Sequence, residues 1–199
     1  MWETYYMKNL LIINGHPNKN SYNYALSESY KKGAQQRDDV SISQINLCDL
    51  KFNPILESGD QYNSELEPDL RGAIAKIQNA DHLVWVFPMW WYGSPALMKG
   101  FIDRTFLPKI AFQYEEGKLF PKKLFKGKTA RLIITADTPK WYDTFFMKSP
   151  AINQLKKGTL QFCGINPVRV TYIAPIIKSK EKFRKKWLTK LYAMGEGLQ

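Results

Sequence analysis

The sequence predicts an α/β fold, a doubly wound five-stranded parallel sheet with strand order 2-1-3-4-5. Three observations predict it. Short apolar runs rich in strand-forming residues alternate with amphipathic helical segments from about residue 9 to residue 192, the pattern of a parallel sheet covered on both faces. The run Val84–Phe87 (VWVF) is apolar at every position, as a strand buried on both sides must be. Five runs of strand type occur, and in the 2-1-3-4-5 order the chain reverses direction between strands one and three, opening a crevice at their carboxyl ends where ligands bind.

Taken in order, Met1–Lys8 reads as a loose leader and Asn9–Asn14 (NLLIIN) as the first strand. The turn-forming loop Gly15-His16-Pro17-Asn18-Lys19-Asn20-Ser21 leads into a helix with Tyr22, Ala25, Leu26, Ser29, Tyr30, Gly33 and Ala34 on one face. Its start offers unbonded N–H groups and a positive dipole end beside the Ser21 hydroxyl. That suits a phosphate, and it equally suits ordinary capping by Asn20 or Ser21. Val40–Asn46 alternates apolar and polar residues, as a strand near a sheet edge does. Leu47–Glu67 is irregular, punctuated by Asn53-Pro54 and Ser58-Gly59, and a helix follows with Leu70, Ala73, Ile74 and Ile77 in register.

The central strand is stopped by Pro88, and the aromatics Trp90, Trp91 and Tyr92 follow before Gly93-Ser94-Pro95. Ser94 is the expected N-cap and Pro95 the first residue of a helix that faces inward through Leu97, Phe101 and Ile102. Three adjacent aromatics serve a flat cofactor, a core or a subunit interface alike. Leu107–Lys128 is a longer connection than most, broken by Pro108, Gly117, Pro121 and Gly127. Thr129–Thr135 is the fourth strand, followed by the loop Ala136–Tyr142. A helix marked by Ile152, Leu155, Thr159 and Phe162 stops at Gly164, and Val168–Ile173 is the fifth strand. Lys180–Tyr192 closes the pattern as an amphipathic helix with Phe183, Trp187, Leu188 and Leu191 inward.

A chain of 199 residues with 44% hydrophobic residues fits one domain with its own core. No apolar run reaches the ~20 residues that span a bilayer, and Met1–Tyr6 has no signal-peptide pattern, so a cytoplasmic protein is expected. Cys48 and Cys163 belong to no metal-ligand spacing and read as buried, reduced thiols. The net charge of +11 concentrates in Lys118–Lys128 and Lys178–Lys190. Neither run interleaves aromatics as a single-strand platform does, so both read as solvated faces and nucleic acid is not an expected partner. The first strand is not followed by G-x-G-x-x-G, which speaks against a dinucleotide-binding Rossmann unit.

Four stretches together carry a resemblance: GHPNKNSYNYAL at Gly15–Leu26, DLKFNPI at Asp49–Ile55, FPMWWYGSPALMKGFIDRTF at Phe87–Phe106 and LQFCGI at Leu160–Ile165. In these the sequence resembles the flavodoxin-like NAD(P)H:quinone oxidoreductases, the family of DT-diaphorase, modulator of drug activity B and the ancillary proteins of potassium-efflux systems. The resemblance implies a flavin, NAD(P)H as co-substrate, quinones or similar flat acceptors, and a homodimer. It also allows a regulatory, ancillary role beside a membrane transporter.

Residue by residue, the resemblance places His16, Ser21, Tyr22 and Asn23 at the flavin phosphate and ribityl chain, and Pro88, Met89, Trp90, Trp91 and Tyr92 beside the isoalloxazine. Thr135, Ala136, Asp137 and Thr138 form the third loop, where relatives carry paired glycines after the threonine. Contacts there are expected from side chains. Phe112, Tyr114 and Tyr142 are expected to wall the acceptor slot, with Tyr142 the catalytic side chain, hydrogen bonding to the acceptor oxygen. The end of the chain does not match the diaphorase terminus, which favours FMN over FAD. A single slot implies ping-pong exchange of nicotinamide and acceptor, with backbone N–H groups of the Trp90–Tyr92 and Thr135 loops meeting negative charge on the cofactor.

Overall fold

The computed structural model describes residues 7–57 and 66–198; most of the expected leader and the Ser58-Gly59 punctuation lie outside the described residues. In chain order the elements are β1 (Lys8–Asn14), α1 (Tyr22–Ala34), β2 (Val40–Asn46), a 3-10 turn (Leu47–Asp49), α2 (Pro68–Asn79), β3 (His82–Pro88) and α3 (Ala96–Thr105). A short antiparallel hairpin, β4 (Phe112–Gln113) with β5 (Lys122–Lys123), sits in the long connection. Then follow β6 (Thr129–Thr135), α4 (Lys140–Phe145), α5 (Pro150–Asn153) running into a π-helix (Gln154–Gln161), β7 (Val168–Ile173) and α6 (Glu181–Glu196). The main sheet is all parallel, with order β2-β1-β3-β6-β7, which is 2-1-3-4-5 over its five strands.

Alternation along the strands builds two cores. On β3, Leu83, Trp85 and Phe87 face α2, α3 and the π-helix, joined by Leu11, Ile13, Leu132, Ile134, Leu70, Ile77, Met98 and Phe101. Val84 and Val86 face the other way with Leu10, Ile12 and Ile133, against α1 and α6. The period of two sends the bulky residues to one side and the β-branched ones to the other. Every residue of β3 is buried.

On the second face α1 and α6 touch backbone to backbone. A methyl group on Gly33 would lie 1.9 Å from the Tyr192 carbonyl oxygen, and one on Gly195 would lie 2.0 Å from that of Tyr30. Glycine at both positions is what lets α6 lie flat on α1, where it backs Tyr22 of the site described below.

Several local readings change. α3 begins at Ala96, with Pro95 at the N-cap and no side-chain cap, so Ser94 does not cap it. Pro95 has φ −53° and ψ 146°: its fixed φ suits either place, and its extended ψ keeps it outside the helix. Met98 is fully buried along with the expected Phe101, whereas Leu97 is half-buried. The inward face of α1 is rotated from the expected one: Asn23 and Ser27 are buried and Ala25 is exposed. Lys140–Phe145 is a helix where a loop was expected. Within α6 only Leu191 among the expected inward residues is fully buried; Phe183, Trp187 and Leu188 are half-buried. Gly164 ends its helix with φ +106°, as expected of glycine at that place. Both cysteines are free thiols, but only Cys163 is buried and Cys48 is half-exposed.

Candidate active site

At the carboxyl ends of β1, β3 and β6 a cleft of about 370 Å³ opens, lined by His16, Asn18, Ser21, Tyr22, Asn23, Pro88, Met89, Trp90, Thr135, Ala136, Asp137, Ile176 and Ile177. Most of the residues expected at a cofactor are therefore brought together. Trp91, Tyr92 and Thr138, and the acceptor-wall residues Phe112, Tyr114 and Tyr142, are not in its lining.

The first loop is fixed by its own side chains. Asn14, the last residue of β1, accepts from the His16 N–H through Oδ1 at 3.1 Å. His16 Nδ1 accepts from the Asn18 N–H at 3.0 Å, which places the ring hydrogen on Nε2. Burial holds His16 below its ordinary pKa, so the ring is neutral at pH 7. Its edge meets Trp90 with ring centroids 5.6 Å apart. The Ser21 hydroxyl is the N-cap of α1 and accepts from the Tyr24 N–H at 3.2 Å. The N–H groups of Tyr22 and Asn23 have no acceptor among the described residues. That leaves two first-turn donors, at the positive end of a 13-residue helix, turned out for an anion.

The second loop is a two-residue hairpin. Trp90 and Gly93 exchange N–H to carbonyl bonds at 3.0 and 2.9 Å, with Trp91 at φ +49° and Tyr92 at φ +59° between them. Two successive left-handed residues make a type I′ turn, which normally takes Asn-Gly. Trp91 is 100% exposed. The N–H groups of Met89 and Trp90 are taken by Thr135 and Gly93, which leaves those of Trp91 and Tyr92 without an acceptor among the described residues, outside the cleft lining.

The third loop uses its side chains inward. Thr135 donates through its hydroxyl to Asn23 Oδ1 at 2.9 Å, and both residues are only 4% exposed. Asn23 Nδ2 is buried and has no partner among the described residues. Asp137 accepts the N–H groups of Ile176 and Ile177 at 3.0 and 2.6 Å. Its carboxylate thus holds the loop after β7 in place and is spent on protein. The Thr138 carbonyl accepts from the Tyr172 hydroxyl at 2.9 Å. Burial chiefly, and the negative charge of Asp143 next, push the Tyr172 pKa up and keep that hydroxyl a donor.

The wall from α6 comes through Tyr22. Its hydroxyl donates to the Arg184 carbonyl at 2.8 Å, and the Arg184 guanidinium lies 5.7 Å from its ring. Burial pushes the Tyr22 phenol up to about 12. The sequence reading has Asn18 only as a loop residue, and does not name Ile176, Ile177 or Arg184. The loop after the fifth strand also ends at the carboxyl edge of the sheet, which is the signal that pointed to the two isoleucines.

Tyr142 lies on α4 in an aromatic group: it stacks on Phe146 at 5.1 Å and meets Trp141 edge-on at 5.7 Å. Its hydroxyl has no partner among the described residues. Trp141, Phe145 and Phe146 are largely exposed. Phe112 and Tyr114 pair with each other at 5.6 Å in the hairpin region.

Comparison with known proteins gives the same picture. Residues 8–193 match the family described by the flavodoxin-like fold. The NAD(P)H dehydrogenase (quinone) 1 of Cavia porcellus is 30% identical over an alignment of 182 positions that covers 79% of this chain and 65% of that protein, so the chain spans a little under two thirds of its length. A crystal structure from Streptococcus mutans superposes with a TM-score of 0.84 at 29% identity, over 95% of this chain and 99% of that one. An FMN-dependent NADH-azoreductase from Bacillus anthracis, in complex with FMN, superposes with a TM-score of 0.72 at 18% identity over 96% of this chain and 99% of that one. On the match across nearly all of its length, with the parallel sheet in the order 2-1-3-4-5, the chain belongs to the flavodoxin-like fold family.

Proposed function

We propose that this protein is a flavin-dependent NAD(P)H oxidoreductase, with FMN as its cofactor, that reduces quinones or similar flat acceptors. The observation that carries the reading is the cleft itself: three loops from adjacent strand ends converge on two unbonded helix N–H groups and on the buried, partnerless Asn23 Nδ2. A phosphate fits the first and a hydroxyl or carbonyl oxygen of the chain beyond it fits the second. The quinone dehydrogenase relative and the FMN-bound azoreductase support the same reading.

The flavin supplies the two-electron chemistry. The protein's part is placement and charge. Tyr22 and Asn23 hold the phosphate end, Trp90 and Pro88 flank the flat end, and the N–H groups of Trp91 and Tyr92 meet negative charge there. No nucleophile or metal is called for. The unbonded Tyr142 hydroxyl is the side chain we assign to the acceptor oxygen, with nicotinamide and acceptor taking turns in one slot. Its distance from the cleft lining makes that role one for a homodimer, in which the exposed aromatics of α4 and Trp91 are covered by the second copy.

Reconstitution tests the reading. Protein mixed with FMN and desalted should keep the flavin's visible absorbance, and should oxidise NADH or NADPH only when a quinone is present. Loss of all flavin on desalting sinks the proposal. A monomer by light scattering at micromolar concentration removes the dimer.

A further inference from the structure

At the opposite edge of the sheet from the cleft, a second pocket of about 190 Å³ is lined by Lys8, His82, Thr129, Ala130, Pro167, Arg169 and Leu198. It lies among the amino ends of β1, β3, β6 and β7 and shares no residue with the cleft. Its volume is that of about six waters, at ~30 Å³ each.

The pocket gathers two cations, Lys8 and Arg169, with Asp39 close enough to Lys8 to feel its charge. Neither the Lys8 ammonium nor the Arg169 guanidinium forms an ion pair among the described residues. The two carboxylates on neighbouring turns are committed elsewhere: Asp39 to Arg37 at 2.6 Å, and Asp81 to the Asn9 N–H at 2.8 Å. His82 is 4% exposed. Its Nδ1 stands 2.6 Å from the Thr129 hydroxyl oxygen, whereas that oxygen is 3.5 Å from the Asp81 carbonyl. The ring and the hydroxyl are therefore bonded to each other through Nδ1, and the second ring nitrogen is left over. Nε2 is buried and has no partner among the described residues. A buried ring nitrogen without a partner is rare enough in folded proteins to require a cause.

The charges that act on the imidazole are positive. His82 is pushed down to about 4 by burial and then by the charges of Lys8, Arg131 and Arg169, all cations. The remaining walls, Ala130, Pro167 and Leu198, are apolar and thin out the water that would screen those charges.

We propose that this pocket is a second binding site, for a compact phosphate-bearing anion, held by Lys8 and Arg169 and seated against His82. Arg169 offers the planar pair of donors that phosphate oxygens accept. A phosphate oxygen or hydroxyl lodged against the imidazole supplies the partner that Nε2 lacks. The site stands apart from the redox reading and does not depend on it.

The chain has only two histidines, His16 in the cleft and His82 in this pocket, so imidazole resonances report the two places separately. The full chain, labelled with 15N-histidine, is titrated with inorganic phosphate at constant ionic strength, the signals being assigned with a His16→Gln variant. The His82 signal should shift along a saturable curve, and Arg169→Gln or Lys8→Gln should weaken that curve roughly tenfold, as expected for loss of one charge-assisted contact. Ethyl phosphate binding more tightly than inorganic phosphate makes a phosphomonoester the ligand; the reverse makes it phosphate itself. A shift at His16 alone, a linear response matched by sodium chloride, equal binding of acetate, or curves unchanged by both substitutions would overturn the site.

Discussion

The Thr135 hydroxyl donates to Asn23 Oδ1 at 2.9 Å, tying the loop after β6 to the first turn of α1 across 112 residues of sequence. Both side chains are buried, so this single bond fixes the distance between the two loops that form opposite walls of the cleft.

Thr135→Val keeps the shape and removes the donor. Asn23 is then left with its oxygen as well as its nitrogen unpartnered, a cost of about 1–3 kcal/mol for a buried polar group. The expected result is a lower urea midpoint for the flavin-free protein and FMN affinity about tenfold weaker or worse. Fluorescence quenching titration reads the second. Equal affinity in the variant would show that the bond does not shape the cofactor site.

The Trp91-Tyr92 turn holds two non-glycine residues in the left-handed region, at a cost of roughly 1–2 kcal/mol each. Trp91 buries nothing in return, being fully exposed. Trp91→Asn should therefore stabilise the isolated chain by about 1 kcal/mol, since Asn suits the first position of a type I′ turn. The same change should weaken self-association and slow turnover. A variant that is both more stable and fully active would leave Trp91 without a functional reason.

Gly195→Ala places a methyl group 2.0 Å from the Tyr30 carbonyl oxygen, so α6 must move away from α1. Overpacking of this kind costs about 1–3 kcal/mol or more. Because α6 carries the carbonyl that receives the Tyr22 hydroxyl, a drop in melting temperature should come with weaker FMN binding. Measuring both in one sample separates a wall that matters from a helix that only packs.

Stability should fall on acidification through His82. Burial and the neighbouring cations push its pKa down to about 4 in the folded chain, against an ordinary value of 6.5. Between those values the unfolded chain binds a proton that the folded chain refuses, so stability is flat above about pH 7 and declines as pH falls toward 4. The loss is on the order of 1.4 kcal/mol per pH unit across that window. Urea titrations at pH 7.5, 6 and 5 should show the slope, and His82→Gln should lessen it.

Tyr142→Phe tests the acceptor side. With one hydrogen bond to the acceptor removed, the quinone half-reaction should slow about tenfold, near 1.4 kcal/mol, with FMN affinity unchanged. Stopped-flow records of the two half-reactions give the answer, and intersecting double-reciprocal lines would exclude a shared slot.

The sequence by itself determined the architecture, because strand burial is written in residue type. VWVF is apolar at every position, and five such runs separated by amphipathic helices fit only a parallel sheet covered on both faces. It also placed the cleft, since the carboxyl ends of strands one and three are set by topology. Tertiary structure alone decided what the side chains do there. Asp137 was legible as a polar loop residue, but its turn toward Ile176 and Ile177 depends on a strand 31 residues further on, at Val168. Asn23 has the periodicity of a flanking position and is buried on a helix whose Gly33 packs on the Tyr192 backbone and whose Tyr30 backbone packs on Gly195. Hydrophobic period fixes an element and its inward stripe to within about a residue. Hydrogen-bond partners and helix rotation are set by contacts between segments far apart in the chain, and no local pattern carries them.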